Sequence, residues 1–174
     1  MRVLGIDPGT AVLGYGVVEG GPGRPARMIE CGVVRTTAAE PLELRLRTVY
    51  EEVVALIARH QPDALAVEGV FTGRNVRSTV SLAQARGVIL LAGAQAGVPV
   101  AEYSPALVKK TVVGRGAAHK PQVGYMVAQL LRLKSPPRPA DAADGAALAL
   151  THLLLLRPGP AAALTPTPRA GARR

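Results

Sequence analysis

The sequence predicts an α/β domain built on a mixed sheet, and three features of the chain predict it. Residues 2–36 hold three apolar or β-branched runs separated by Gly- and Pro-containing turns. From about residue 41 the apolar spacing changes from the period of a strand to that of a helix. Two further short apolar runs then alternate with helical segments, an order that joins an antiparallel start to a mixed sheet flanked by helices. Apolar residues are 48% of the 174, enough for one domain that buries roughly two thirds of its unfolded surface. Aromatic residues are only 3%, so Ala, Val and Leu must build the core.

The elements follow in order. Residues 2–7 and 12–19 read as strands joined by the turn "DPGT", and "RMIECGVVRT" (27–36) as a third strand after "GGPGRP". Links this short predict an antiparallel meander. In "PLELRLRTVYEEVVALIARHQ", Leu42, Leu46, Val49, Val53, Leu56 and Ile57 recur at helical spacing, with charges on the other face. "PDALAVEGV" (62–70) reads as a short buried strand, followed by a helix over about 76–96 and a strand at 98–104. "PALVKKTVVG" is a short helix with Pro in its first turn, and 119–133 and 140–156 are two more helices. Residues 157–174, "RPGPAAALTPTPRAGARR", hold four Arg and no acid, and read as a disordered basic tail beside a 1–156 domain.

Charge and cysteine usage narrow the function classes. Net charge is +9, which points to a polyanionic partner. A solvated basic surface gives the same total, but the distribution is uneven. Between Phe71 and Arg138 there are ten Lys and Arg against one acid, Glu102. The single cysteine, Cys31, excludes an intramolecular disulfide and a Cys-rich zinc site and fits a reduced cytoplasmic setting. The opening "MRVLGIDPG" turns polar too soon for a signal peptide, and "GVILLAGAQAGVPV" is too short and too interrupted to span a bilayer. A soluble protein without a membrane partner is expected.

Four carboxylates stand out in this acid-poor chain. Asp7 and Glu68 lie near the C-terminal ends of apolar strands, where an unpaired charge is costly. Asp141 and Asp144 are three apart at the start of a helix and so share a face. Together they can converge on a hard divalent cation such as Mg²⁺ or Mn²⁺. Each also has a plainer explanation. Asp7 can open an ordinary "DPGT" turn or a phosphate cradle of the actin-like ATPase kind, and acids in a first helical turn stabilise the helix by about 0.3–1 kcal/mol. Glu68 has the weakest plain explanation, because "LAVEGVF" offers neither a base nor a helix terminus. Asp63, after Pro62, is sufficiently explained as a turn residue.

In order and spacing, "LGIDPGT", "GYGVV", "AVEGVF", "QARGV", "EYSPALVKKTVVGRGAAHKPQV" and "ADAADGAALALTH" resemble the RuvC family of Holliday-junction resolvases over residues 1–156. The resemblance implies an RNase H-like fold, a five-stranded mixed sheet flanked by helices with its first three strands antiparallel. It implies that Asp7, Glu68, Asp141 and Asp144 are metal ligands for two Mg²⁺ or Mn²⁺ ions, with Asp7 bridging them. Some family members carry His at the position of Asp141. The reaction implied is two-metal phosphodiester hydrolysis leaving a 5′-phosphate and a 3′-hydroxyl. Lys109 and Lys120 match family lysines near the scissile phosphate, Lys120 as part of the catalytic set, with Lys110 a neighbour.

Phe71, the only Phe, sits in the loop-like "VFTGRN". It is either a core anchor or, as the resemblance implies, an exposed ring that stacks on a base at the crossover, worth about 1–3 kcal/mol. Arg74, Asn75, Arg77 and Arg86 fit contacts to the DNA backbone. His119 reads as a surface residue or a phosphate contact, and Gly69 stands where the family often has a polar residue. Four-way junction DNA, a C2 homodimer through the helix at 76–96, and the RuvA–RuvB branch-migration machinery are the partners implied. Rival readings are another RNase H-like nuclease and a non-catalytic basic DNA-binding module. An actin-like ATPase needs a second lobe and a second phosphate loop, neither of which the sequence contains.

Overall fold

The computed structural model describes residues 1–69 and 76–156, with the side chains of 76–78 also outside the description. The tail read at 157–174 lies outside the described residues. Strands β1 (Arg2–Asp7), β2 (Val12–Gly21) and β3 (Arg24–Arg35) form the antiparallel meander, and helix α1 (Leu42–His60) follows. Strand β4 (Ala64–Glu68), helix α2 (Val76–Gln95) and strand β5 (Val100–Tyr103) come next, then helices α3 (Pro105–Val113), α4 (Lys120–Leu130) and α5 (Ala140–Leu155). The five strands lie in the order β3-β2-β1-β4-β5, with β4 parallel to β1 and β5 parallel to β4. This is the mixed sheet the sequence predicts.

The turn before β3 is tighter than "GGPGRP" implies. β2 runs on to Gly21, which pairs with Arg24, leaving Pro22 and Gly23 as the hairpin loop. Pro25 is tolerated inside β3 because this strand lies at the sheet's edge, where a missing N–H breaks no central ladder. α1 stops where the sequence says it should. Gln61 adopts a left-handed conformation and its N–H caps the Ile57 carbonyl, just before Pro62.

Strand alternation sorts the core into two layers. Leu4, Ile6, Leu13, Val17, Leu65 and Val67 pack on one face against Val49, Val53, Leu56 and Ile57 of α1 and Ile89 and Ala92 of α2. Each such aliphatic side chain contributes about 1.5–3 kcal/mol by leaving water. On the other face Val3, Val18 and Ala66 meet Val108 and Val112 of α3, Val123 and Val127 of α4, and the Ala- and Leu-rich face of α5. Tyr103 on β5 ties that edge to α5 through a 2.7 Å hydrogen bond between its hydroxyl and His152 Nδ1. His60, buried at the end of α1, lies 3.1 Å from a carboxylate oxygen of Glu30. Neither histidine needs a role beyond holding the fold.

Candidate metal centre and nucleic-acid interface

Asp7 ends β1 and Glu68 ends β4. In the parallel register Ile6 stands beside Val67, so one further step puts both acids at the same end of neighbouring strands. Ile6 and Val67 turn toward α1 and α2, which sends Asp7 and Glu68 to the α5 face. Asp141 lies in the first turn of α5 and Asp144 one helical turn on. Ligand oxygens of Asp7, Asp141 and Asp144 lie within 4.8 Å of one another. Glu68 stands outside this triplet but lines the same cavity of about 320 Å³ as Asp7, Asp144, Lys109 and Lys120. Its apolar wall is Leu82, Pro105, Val108 and Val123.

The electrostatics show a site short of positive charge. Burial, then the charges of Glu68 and Asp144, raises the pKa of Asp7 to about 7, against the opposing pull of Lys120. Glu68 is also raised, by burial first and by Asp144 second, with Lys120 and Lys109 opposing. Carboxylates held together out of water resist ionising side by side. Hard oxygen donors crowded in this way fit Mg²⁺ or Mn²⁺ on donor chemistry alone.

Lys120, at the start of α4, reaches into the cluster. Its Nζ donates to Asp144 Oδ2 at 2.7 Å and lies 3.9 Å from Asp141 Oδ1. The bond to Asp144 raises the lysine's pKa above its ordinary value. The resemblance implies Lys120 near the scissile phosphate, and the structure places its ammonium on the acids that line the same cavity. Lys109 is half-buried on the cavity wall, while Lys110 is exposed. Arg86 of α2 donates its Nε–H to Glu102 of β5 at 2.9 Å, so the one acid of the basic stretch is already engaged. Phe71, Arg74 and Asn75 lie outside the described residues, and so does the side chain of Arg77. His119 begins α4 and its N–H donates to Gln122 Oε1 at 3.1 Å, which gives it a place as a helix cap. Asp63 accepts the Arg2 N–H at 2.6 Å, consistent with its reading as a turn residue.

The sequence reading overlooked four glycines that let the acids meet. A Cβ on Gly14 would stand 1.9 Å from the Asp141 carbonyl oxygen, and one on Gly5 2.1 Å from that of Gly145. On Gly16 it would stand 2.5 Å from Ala146 Cα, and on Gly145 2.5 Å from Tyr15 Cα. α5 therefore lies with its backbone directly on β1 and β2, and its first turn comes down beside Asp7. The signal was present as alternate glycines, Gly14 and Gly16, facing a glycine in an Ala-rich helix.

Comparison with known proteins agrees with this architecture. Residues 3–152 match the family described as crossover junction endodeoxyribonuclease RuvC. The RuvC of Salinispora arenicola is 55% identical over 153 residues, covering 88% of this chain and 87% of its own. That of Syntrophomonas wolfei is 50% identical over 153 residues, covering 88% of each. The structure of Thermus thermophilus RuvC superposes with a TM-score of 0.80 at 41% identity, covering 88% of this chain and 94% of that one. The same protein in complex with a Holliday junction substrate gives a TM-score of 0.82 at 41% identity over 87% and 92% of the two chains. A yeast mitochondrial Holliday junction resolvase, 14% identical, shares the fold with a TM-score of 0.61 over 88% of this chain and 79% of its own. The sheet is thus the RNase H-like sheet of these relatives, and the chain belongs to the RuvC family of crossover junction endodeoxyribonucleases.

Proposed function

We propose that this chain resolves four-way DNA junctions by paired, symmetric, metal-dependent nicks that leave 5′-phosphate and 3′-hydroxyl ends. The observation that carries the reading is the convergence of Asp7, Asp141 and Asp144 within 4.8 Å, with Glu68 on the wall of the same cavity. These four would hold Mg²⁺ or Mn²⁺, two ions per site. Bound there, the ions supply an activated water and neutralise the leaving oxygen. The protein's own side chains do the rest. The acids fix the metal positions, the apolar wall of Leu82, Pro105, Val108 and Val123 limits water, and Lys120 and Lys109 present positive charge to the phosphate.

DNA contact is assigned to Phe71, Arg74, Asn75, Arg77, Arg86, Lys109, Lys110 and Lys120, with Phe71 as the ring that stacks on an unpaired base. Two coordinated cuts call for two sites at fixed separation, hence a C2 homodimer. α2 is the interface proposed, because Val80 and Leu91 are each about half exposed on it and a side chain at Gly87 would meet open space. RuvA–RuvB would deliver the junction, and the setting is the cytoplasm, consistent with a free Cys31. No helix among the described residues is long and apolar enough to cross a membrane.

A labelled synthetic four-way junction tests the reading with and without Mg²⁺ or Mn²⁺. Paired nicks at symmetric positions only with metal are expected. A gel shift without cutting would instead select a non-catalytic DNA-binding module. Equal cutting of RNA–DNA hybrids would select another RNase H-like nuclease.

A further inference from the structure

The geometry points to Lys120 as a tethered counter-ion that competes with the divalent cation for Asp144, so that a DNA phosphate opens the metal site by drawing the lysine away. The inference rests on the metal reading above and adds an order of events to it. Three observations carry it. The ammonium sits 2.7 Å from Asp144 Oδ2 and 3.9 Å from Asp141 Oδ1, bonded to one member of the carboxylate triplet and bordering a second. An ammonium on Asp144 Oδ2 occupies lone pairs of that oxygen and offsets the carboxylate's charge, so a metal that would ligate Oδ2 must displace it and one on Oδ1 meets its repulsion. Finally, the lysine is free to leave. Its side chain is 63% exposed while that of Asp144 is only 18% exposed, so the anchor is fixed and the arm is not. Lys120 also borders a second, apolar groove formed with Pro121, Pro136 and Pro139, which leaves the stem room to swing outward along α4.

Two consequences follow by linkage. Without DNA the lysine satisfies Asp144, so the free protein binds divalent metal weakly. A phosphate that takes Lys120 removes the competitor, so DNA and metal each tighten the binding of the other. Lys109 provides the internal control. It lines the same cavity, yet no ion pair joins it to the acids. A lysine acting only through its field should raise metal affinity on removal at both positions, though less at 109, whereas one that occupies a ligand oxygen should do so at 120 alone.

The test is Mn²⁺ titration of the DNA-free protein by electron paramagnetic resonance, on the parent, Lys120→Met, Lys120→Arg and Lys109→Met, each checked for folding by thermal melt. Lys120→Met should bind Mn²⁺ about three- to tenfold more tightly, Lys120→Arg should stay near the parent, and Lys109→Met should change less than about twofold. In ¹⁵N spectra that detect lysine ammonium groups, the protected Lys120 signal should disappear as Mg²⁺ saturates the site. Unchanged or weaker Mn²⁺ binding in Lys120→Met, or equal tightening in Lys109→Met, would overturn the competition, as would a Lys120 signal that survives Mg²⁺. Failure of every variant and the parent to bind Mn²⁺, with or without junction DNA, would overturn the metal reading itself and this inference with it.

Discussion

The two faces of the sheet are packed by opposite means. Toward α1 and α2 the strands present Leu4, Ile6, Leu13, Val17, Leu65 and Val67, and branched side chains hold the helices off the backbone. Toward α5 the same strands present Gly5, Gly14, Gly16 and Ala66, and helix and strand backbones touch. On the first face the strands themselves supply much of the apolar volume, whereas on the second most of it comes from the helices. The second sacrifices side-chain volume for proximity, and only there can the first turn of a helix bring Asp141 and Asp144 to a strand-end carboxylate. The candidate site sits on the thin face, where acids from three separate elements, β1, β4 and α5, come together.

The sharpest break of this comparison is Asp7→Asn. Cleavage of a four-way junction should fall by at least about a thousandfold, equivalent to roughly 4 kcal/mol of barrier, while junction binding in a gel-shift titration stays within about twofold. Retained cleavage would sink the assignment of Asp7 to the metal site. Next in size is Gly14→Val. Its side chain meets the Asp141 backbone rather than a movable side chain, so urea melts should show a loss of about 3 kcal/mol or more, with cutting by the folded fraction also reduced. Its counterpart on the thick face is Leu65→Ala, expected to cost about 2–4 kcal/mol by leaving a cavity. The molecules of that variant that remain folded should cut at the parent rate. Equal loss of turnover per folded molecule in both variants would erase the distinction between the faces.

A third measurement uses the raised pKa of Asp7. Its folded-state value, about 7, lies above the ordinary 3.8, so the native state holds this proton more tightly than the unfolded chain does. Without divalent ions, the site's contribution to stability therefore declines as pH rises from about 4 to about 7. Asp7→Asn removes that decline. In EDTA the variant should match the parent near pH 4 and exceed it by up to about 4 kcal/mol at pH 8. Saturating Mg²⁺ should reverse the order, because only the parent gains the full binding energy. The smallest effect is expected from Glu102→Gln, on the side of β5 away from the acids. Freeing Arg86 should change stability by less than about 1 kcal/mol and tighten junction binding slightly, with a steeper salt dependence.

Much of this was legible in the chain because it depends on period and rarity. Alternation in "VLGID" and "ALAVE" fixes which way Asp7 and Glu68 point, and a three-residue spacing fixes that Asp141 and Asp144 share a side. Acids are so scarce among the bases that four at element ends stand out. The rest depends on distances that no local pattern encodes. Glycine serves turns, bulges and close contacts alike, so the role of Gly14 and Gly16 emerges only when α5 lies across them. The bond from Lys120 to Asp144 spans 24 residues, and a lysine beside a phosphate has the same sequence signature as one resting on a carboxylate. The pairing of Arg86 with Glu102 across α2 and β5 is hidden for the same reason.

The placement of α5 also bears on when the protein becomes able to cut. Asp7 is made among the first residues and Glu68 well before the middle of the chain, whereas Asp141 and Asp144 arrive with the last described helix. A nascent or proteolysed chain lacking residues 140–155 carries the segments of the sheet and of the basic helices but only two of the four acids. It can neither assemble the triplet nor fill the glycine floor beneath it. A fragment of a DNA-cutting protein is a hazard to a genome when it keeps its edge. On the metal reading proposed above, the edge is delivered by the same helix that closes the core, so competence to cut would begin only when the fold is finished.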